Sequence, residues 1–211
     1  MTFLRFDPEP RPDLPPGLRN EDLRYHPGLV RYFLEQFTEP GDVVLDPFAG
    51  FGTTLIAAEE MGREAWGVER DVRRAAFARS QLPHPERVLT GDALHLPDLD
   101  LPRFDFAMSA PPFMARTDPD DPLTGRPGTY GSYLAKLKVI YERAKERMKP
   151  GAHVVVEVAN LREGGEVTTL AWDVAKSVGG VLRFEGEVVA SWPGCGYGFD
   201  HTYGLVFSAR S

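Results

Sequence analysis

Short apolar runs alternate along this chain with stretches of helical spacing, and turn formers separate them. Leu29, Val30, Phe33, Leu34 and Phe37 recur at helical intervals, with Arg31, Glu35 and Gln36 on the opposite face, and Pro40-Gly41 stops that helix. Val43-Val44-Leu45 is the β-branched, apolar run of a strand buried on both faces. Residues 55–60 read as a helix ended by Gly62, and Ala65-Trp66-Gly67-Val68 as a second strand closing on Glu69. Asp71 is placed to cap a helix through Val72, Ala75, Ala76 and Phe77 that ends before Pro83. Residues 88–90 and 104–108 follow as short strands. A helix opens at Tyr130-Gly131-Ser132-Tyr133 and carries Leu134, Leu137, Ile140, Tyr141 and Ala144. Lys149-Pro150-Gly151 reads as a turn, 153–158 as a strand and 168–177 as a helix. Residues 184–190 and 202–208 read as antiparallel strands separated by the glycine-rich 192–199. Strands alternating with helices in this way predict βα units on a mostly parallel sheet.

Composition narrows the class. The 211 residues, 42% of them hydrophobic, fit one domain with a real core. Prolines recur over residues 1–20 too often for a helix or a central strand, so this stretch is expected to be an extended arm before a single domain over 21–211. No run approaches a membrane span, and the first residues lack the pattern of a signal peptide. The single cysteine, Cys195, allows no intrachain disulfide, which fits the cytoplasm. The net charge of −7 argues against unaided gripping of duplex DNA, which calls for a basic face.

The chemistry concentrates between Gly41 and Glu69. Gly50 and Gly52 stand at the turn between the first strand and its helix, where a ligand approaches the backbone closely. An acid ends the next strand about 20 residues on, where such folds hold a ribose hydroxyl. A pyrophosphate loop wants a third glycine where Leu55 stands, and no Walker lysine loop occurs. Asp46 at the strand's end would repel a diphosphate but suits a ligand with an ammonium and a sulfonium. Asp46-Pro-Phe-Ala-Gly-Phe-Gly-Thr-Thr54 resembles the S-adenosylmethionine loop of the amino-methyltransferases that modify adenine or cytosine in DNA, with Phe51 where the family usually has serine. Ser109-Ala110-Pro111-Pro112-Phe113 is similar to that family's second motif, Asp, Asn or Ser followed by Pro-Pro and an aromatic residue.

The resemblance implies a doubly wound, mostly parallel α/β sheet of the class I (Rossmann-like) methyltransferase type, with about seven strands and a C-terminal antiparallel hairpin. It implies a cofactor pocket built from His26-Pro27 and from Asp46, Pro47, Phe48, Gly50, Gly52, Thr53 and Thr54. Glu69 and Arg70 would lie at the ribose, and Asp92 and Ala93 at the adenine, whose amino group a carboxylate accepts. Pro111, Pro112 and Phe113, with Ser109 and Ala110, would form the catalytic segment, the ring of Phe113 stacking on a base that is flipped out or already unpaired. Nucleic acid, DNA or RNA, is the implied partner, and no membrane.

One departure changes the expectation. Aligned on Pro-Pro-Phe, the acceptor position holds Ala110, and Ser109 sits one residue early, facing the opposite way on an extended chain. Two other readings therefore stay open: a methyltransferase for a small molecule or protein, and a cofactor-binding subunit completed by a partner. No insertion is large enough for a separate target-recognition domain, which argues against a self-sufficient enzyme recognising a long sequence and leaves room for single-stranded DNA, RNA, a second copy or a partner subunit. Residues 114–131, rich in turn formers, are expected to be a mobile loop over the site, with Tyr130 and Tyr133 near it and 160–166 at its edge.

Overall fold

The β-branched and aromatic runs pair into a sheet of eight strands in the computed structural model, which describes residues 2–195 and 198–210. Gly196 and Tyr197, within the glycine-rich stretch expected before the last strand, lie outside the described residues. In chain order the strands are β1 (Thr2–Arg5), β2 (Val43–Asp46), β3 (Glu64–Glu69), β4 (Val88–Thr90), β5 (Phe104–Ser109), β6 (Met148–Val158), β7 (Arg183–Ser191) and β8 (Thr202–Ser208). Their spatial order is β1-β7-β8-β6-β5-β2-β3-β4. β2 lies parallel to β3 and β5, β3 to β4, and β5 to β6, whereas β8 inserts antiparallel between β6 and β7. The sheet is thus doubly wound and mostly parallel with an antiparallel C-terminal pair, as the pattern and the resemblance implied.

Helices cover both faces, which is why the strands read as continuous apolar runs. α1 (Pro27–Phe37), α2 (Thr53–Glu60) and α3 (Val72–Ser80) pack on one face over Val44, Phe106, Met108, Val155 and Val206. α4 (Tyr130–Lys145) and α5 (Leu170–Val178) pack on the other over Leu45, Ala107, Val154, Val156 and Phe207. Successive side chains of β5 and β6 enter the two cores in turn, following the two-residue period of a strand. It decides below which side chains can meet. Asp71 caps α3 by accepting from the amides of Arg73 and Arg74.

The eighth strand, β1, comes from the first residues of the expected arm. It precedes the first proline and takes the edge beside β7, the one place in a sheet that such a segment tolerates. The rest of the arm folds onto the body. Phe6 stacks on His26 at 4.9 Å, and Leu14 and Leu18 form a small cluster with Phe51 and Phe77.

The segment 114–131 also differs from expectation. Met114, Ala115 and Leu123 are buried in the core, and Asp120–Asp121 pairs with Arg126–Pro127 as a short hairpin. Asp121 is fully buried and bonded to Lys136 Nζ at 2.6 Å. Arg70 further ties the segment down through the carbonyls of Pro122 and Leu123. Three apolar anchors and an ion pair on the buried Asp121 outweigh the turn-forming composition that suggested a mobile loop.

Gly204 on β8 lets α1 approach the sheet. A Cβ there would lie 2.6 Å from Phe33 Cε2. Gly204→Ala is therefore expected to destabilise the fold by about 1–3 kcal/mol through overpacking, read as a lower midpoint in urea denaturation.

Candidate active site

The order of strands reverses between β2 and β5, and in open α/β sheets a crevice forms there at the carboxyl ends. A cavity of about 870 Å³ opens at this place. Its floor is the turn from β2 into α2, its walls are the ends of β3, β4, β5 and β6, and the segment from Glu21 to Tyr25 forms part of its rim.

The turn is built by its glycines. Gly50 (φ +52) and Gly52 (φ +87) take left-handed conformations that other residues avoid. Glu69, ending β3, fastens the loop: the Gly50 amide donates to Oε2 at 2.8 Å and the Asp71 amide to Oε1 at 2.7 Å. Each oxygen keeps a lone pair for a ligand hydroxyl. Asp92 caps the turn after β4 through the Leu94 amide at 2.9 Å, and it lines the cavity with Ala93. Pro47, Phe48, Gly50, Thr53, Glu69 and Arg70 line the same cavity, and Ala110, Pro111, Pro112 and Phe113 face it from the end of β5.

Several expected site residues stand elsewhere. His26 is 3% exposed and caps α1, its Nδ1 accepting from the Gly28 amide at 3.0 Å and its Nε2 donating to the Asp7 carbonyl at 2.9 Å. It holds the arm, and neither it nor Pro27 is part of the cavity lining. Gly52 faces α3, where a Cβ would lie 3.2 Å from that of Ala78. Thr54 is fully buried between the Tyr25 hydroxyl and the Met108 carbonyl. Ser109 turns to the α4 face and bonds the Tyr141 hydroxyl at 3.0 Å. Asp46 is 1% exposed beneath the lining, its Oδ1 accepting from the Phe48 amide at 2.9 Å and its Oδ2 facing the Tyr25 hydroxyl at 3.5 Å. Strand alternation and helix capping explain these departures: a motif gives neighbours in sequence, and alternate neighbours face opposite ways.

The site also includes residues that the sequence reading passed over. Tyr25 reaches the cavity from the segment before α1, and Glu157 reaches it from β6. Arg24 and Arg74 hold their guanidinium groups 5.9 and 5.4 Å from the centre of the Phe51 ring, which also meets Phe77 edge-on at 5.7 Å. Phe51, the residue that replaces the usual serine, thus seats the arm and places two arginines at the rim. Leu161, Arg162 and Glu163, in a short hairpin (Leu161–Glu163 with Glu166–Thr168), form the far edge, as the polar composition of 160–166 suggested. Tyr130 and Tyr133 act as struts, the first donating to Asp173 Oδ2 and the second to the Pro112 carbonyl, both at 2.9 Å.

Burial pushes both the Asp46 and the Glu157 carboxyls up to about 7. Each holds a proton in the folded protein that the unfolded chain releases above about pH 4. Each therefore contributes stability at low pH that is lost as pH rises toward about 7. Asp46→Asn keeps the acceptor for Phe48 and removes the charge. It is expected to raise the unfolding free energy by about 1–3 kcal/mol at pH 8 and to leave it nearly unchanged near pH 4, measured by denaturant titration at the two pH values.

Comparison with known proteins agrees with this geometry. Residues 25–79, from Tyr25 through the glycine loop and into α3, match a family described as DNA methylase. The chain is 44% identical over 53 residues to the type II methyltransferase M.MjaII of Methanocaldococcus jannaschii, covering 25% of this chain and 10% of that one. It is 39% identical over 59 residues to M.HindIII of Haemophilus influenzae, covering 26% and 19%. The matching segment therefore spans less than a fifth of the length of either relative. Among solved structures, TrmN from Thermus thermophilus superposes with a TM-score of 0.63 at 20% identity, over 87% of this chain and 49% of that one. The glycopeptide N-methyltransferase MtfA, solved with sinefungin, superposes with a TM-score of 0.61 at 12% identity, over 90% and 96%. The fold is that of the class I methyltransferases, and the segment carrying the glycine loop is similar to the DNA methylase family.

Proposed function

We propose that this chain binds S-adenosylmethionine and methylates an exocyclic amino nitrogen of adenine or cytosine in an unpaired or flipped-out nucleotide, in the cytoplasm. The observation that carries this reading is a single cavity with the acid-terminated glycine turn on one side and Pro111-Pro112-Phe113 on the other. The residues fit the cofactor. A Cβ at Gly50 would meet only the Phe48 carbonyl oxygen, at 3.8 Å, so the backbone there is open to close approach. Glu69 and Asp92 offer acceptors at the ends of adjacent strands, Glu69 for ribose hydroxyls and Asp92 for the adenine amino group. Asp46, beneath Tyr25, would give up its proton beside an ammonium and so supply negative potential for it. When bound, S-adenosylmethionine supplies an activated methyl group.

The protein's own part is alignment. Phe113, half-buried on the wall, would stack on a base, and the carbonyl of Pro111 would accept from its amine. Pro112 is held through its carbonyl by Tyr133, which fixes the turn on which Phe113 stands. Arg70 and Arg162 line the cavity without a carboxylate partner among the described residues and would meet the phosphates of a single strand, whereas Arg24 and Arg74 are paired with Asp22 and Glu21. Ala110 supports a second reading, methylation of a small molecule or protein, because a base amine normally finds a polar side chain there. Gel shifts across a salt series separate the two: single-stranded DNA or RNA should bind with a steep salt dependence, and a small-molecule enzyme should not shift either.

Glu69→Ala is expected to weaken S-adenosylmethionine binding about ten- to hundred-fold in calorimetry, and an unchanged affinity removes Glu69 from the cofactor site. Phe113→Ala should raise the activation free energy of methyl transfer to a single strand by about 1–3 kcal/mol through lost stacking, with cofactor affinity unchanged. Equal transfer by the variant rejects the stacking role.

A further inference from the structure

The acceptor that Ala110 lacks is present one strand away. β5 and β6 run parallel with Ser109 opposite Val156, and both of these face α4: Ser109 bonds Tyr141, and Val156 packs in the core on that side. The next residue on each chain therefore turns to the opposite face. Those residues are Ala110 and Glu157, and both line the cavity. Ala110 carries only a methyl group, so the space a polar side chain would fill is left beside Glu157. The Thr202 hydroxyl, from β8, donates to Glu157 Oε1. Oε2 has no hydrogen bond among the described residues, yet no sealed side-chain oxygen there lacks a partner, so Oε2 opens toward the cavity. No basic side chain among the described residues pairs with this carboxyl.

We propose that Glu157 accepts the substrate's amino group, taking over from β6 the place of the polar side chain absent at Ala110. This rests on the base-amine reading above. The amine nitrogen uses its lone pair to bond the methyl carbon as the carbon–sulfur bond breaks onto sulfur. The proton the nitrogen then sheds passes to Oε2 and on to solvent. The groups that face Glu157 leave this exchange to it. The Tyr25 phenol, from the segment before α1, is held well above its ordinary value by burial, and burial pushes the Cys195 thiol up to about 12, so both stay neutral. The carboxyl itself, at about 7, gives and takes a proton near neutral pH.

The experiment is labelled-methyl transfer to single-stranded DNA and RNA by the full chain, wild type beside Glu157→Gln, Glu157→Ala and Glu157→Ala/Ala110→Asn. Cofactor affinity and thermal unfolding are measured on each protein. Glu157→Gln should lower kcat about ten- to hundred-fold with unchanged cofactor affinity and a Tm no lower than wild type. The double variant should transfer faster than Glu157→Ala alone, because asparagine returns an acceptor to β5. Infrared difference spectra supply a readout apart from turnover. The protonated-carboxyl band that vanishes in Glu157→Gln should shift when adenosine or cytidine binds together with S-adenosylhomocysteine. Equal kcat in wild type and Glu157→Gln, or a band that the nucleoside does not move, overturns the role of Glu157 and leaves the base-amine reading standing. A fall in Tm and cofactor affinity together in every Glu157 variant marks a structural residue and also overturns it. A wild type that labels protein or small molecules but neither nucleic acid overturns the base-amine reading itself.

Discussion

Two carboxyl groups, Asp46 and Glu157, lie in the interior at the ends of β2 and β6, and neither has a basic partner among the described residues. Burying an acid without a counter-charge is unfavourable, and here the penalty appears as a pKa near 7 for each. Each carboxyl keeps one firm hydrogen bond, from the Phe48 amide and from the Thr202 hydroxyl respectively, which fixes its orientation without neutralising it. The Tyr25 phenol feels both. A pocket so arranged favours a cation or a polarised amine over an anion. That preference is what separates this glycine turn from the dinucleotide and phosphate loops it resembles in outline.

The N-terminal segment serves this pocket. β1 adds an edge to the sheet, Phe6 stacks on His26, and Leu14 and Leu18 close over Phe51 and Phe77. The chain is thereby delivered to Tyr25 in the one orientation that sets its hydroxyl between Asp46 and Thr54. His26 stabilises this path from outside the cavity. Its position just before the glycine loop reflects that the same turn must both cap α1 and present Tyr25. A histidine in such a place serves the pocket through the backbone it holds.

Much of this was legible in sequence. Buried parallel strands read as apolar runs, so β2, β3, β4 and β5 fell close to where the pattern put them, and the capping role of Asp71 followed from its place before Val72. The acid ending β3 was legible because its spacing from the glycines is set by one βαβ unit, and Asp92, one unit further on, followed from the family resemblance. Other features depend on contacts distant in sequence. β1 lies 186 positions before its partner residues in β7, as in Thr2 beside Val188. Glu157 sits in a strand of valines, where nothing local sets it apart from a solvent-facing residue. The burial of 114–131 depends on Lys136 and Arg70, outside the segment itself. Ser109 was legible as facing away from Ala110, and the bond to Tyr141 gives that geometry its partner.

The pairing of Ala110 with Glu157 bears on how a motif should be read. A tetrapeptide records which side chain stands at one point of one strand, whereas a substrate meets the surface made by several strand ends. Where two strands run parallel, the residues one step beyond a matched pair share a face within reach of the same ligand atom. An acceptor can then move from β5 to β6 without moving much in space, provided the vacated position is small and the new one is anchored. Ala110 meets the first condition and the Thr202 bond to Glu157 meets the second. The exchange also alters the chemistry, because an asparagine or serine at Ala110 only accepts and orients, while a carboxyl held near neutrality also takes up charge. On the role proposed for Glu157, the loss at Ala110 does not leave the cavity without an acceptor, since Glu157 lines it as well and also titrates.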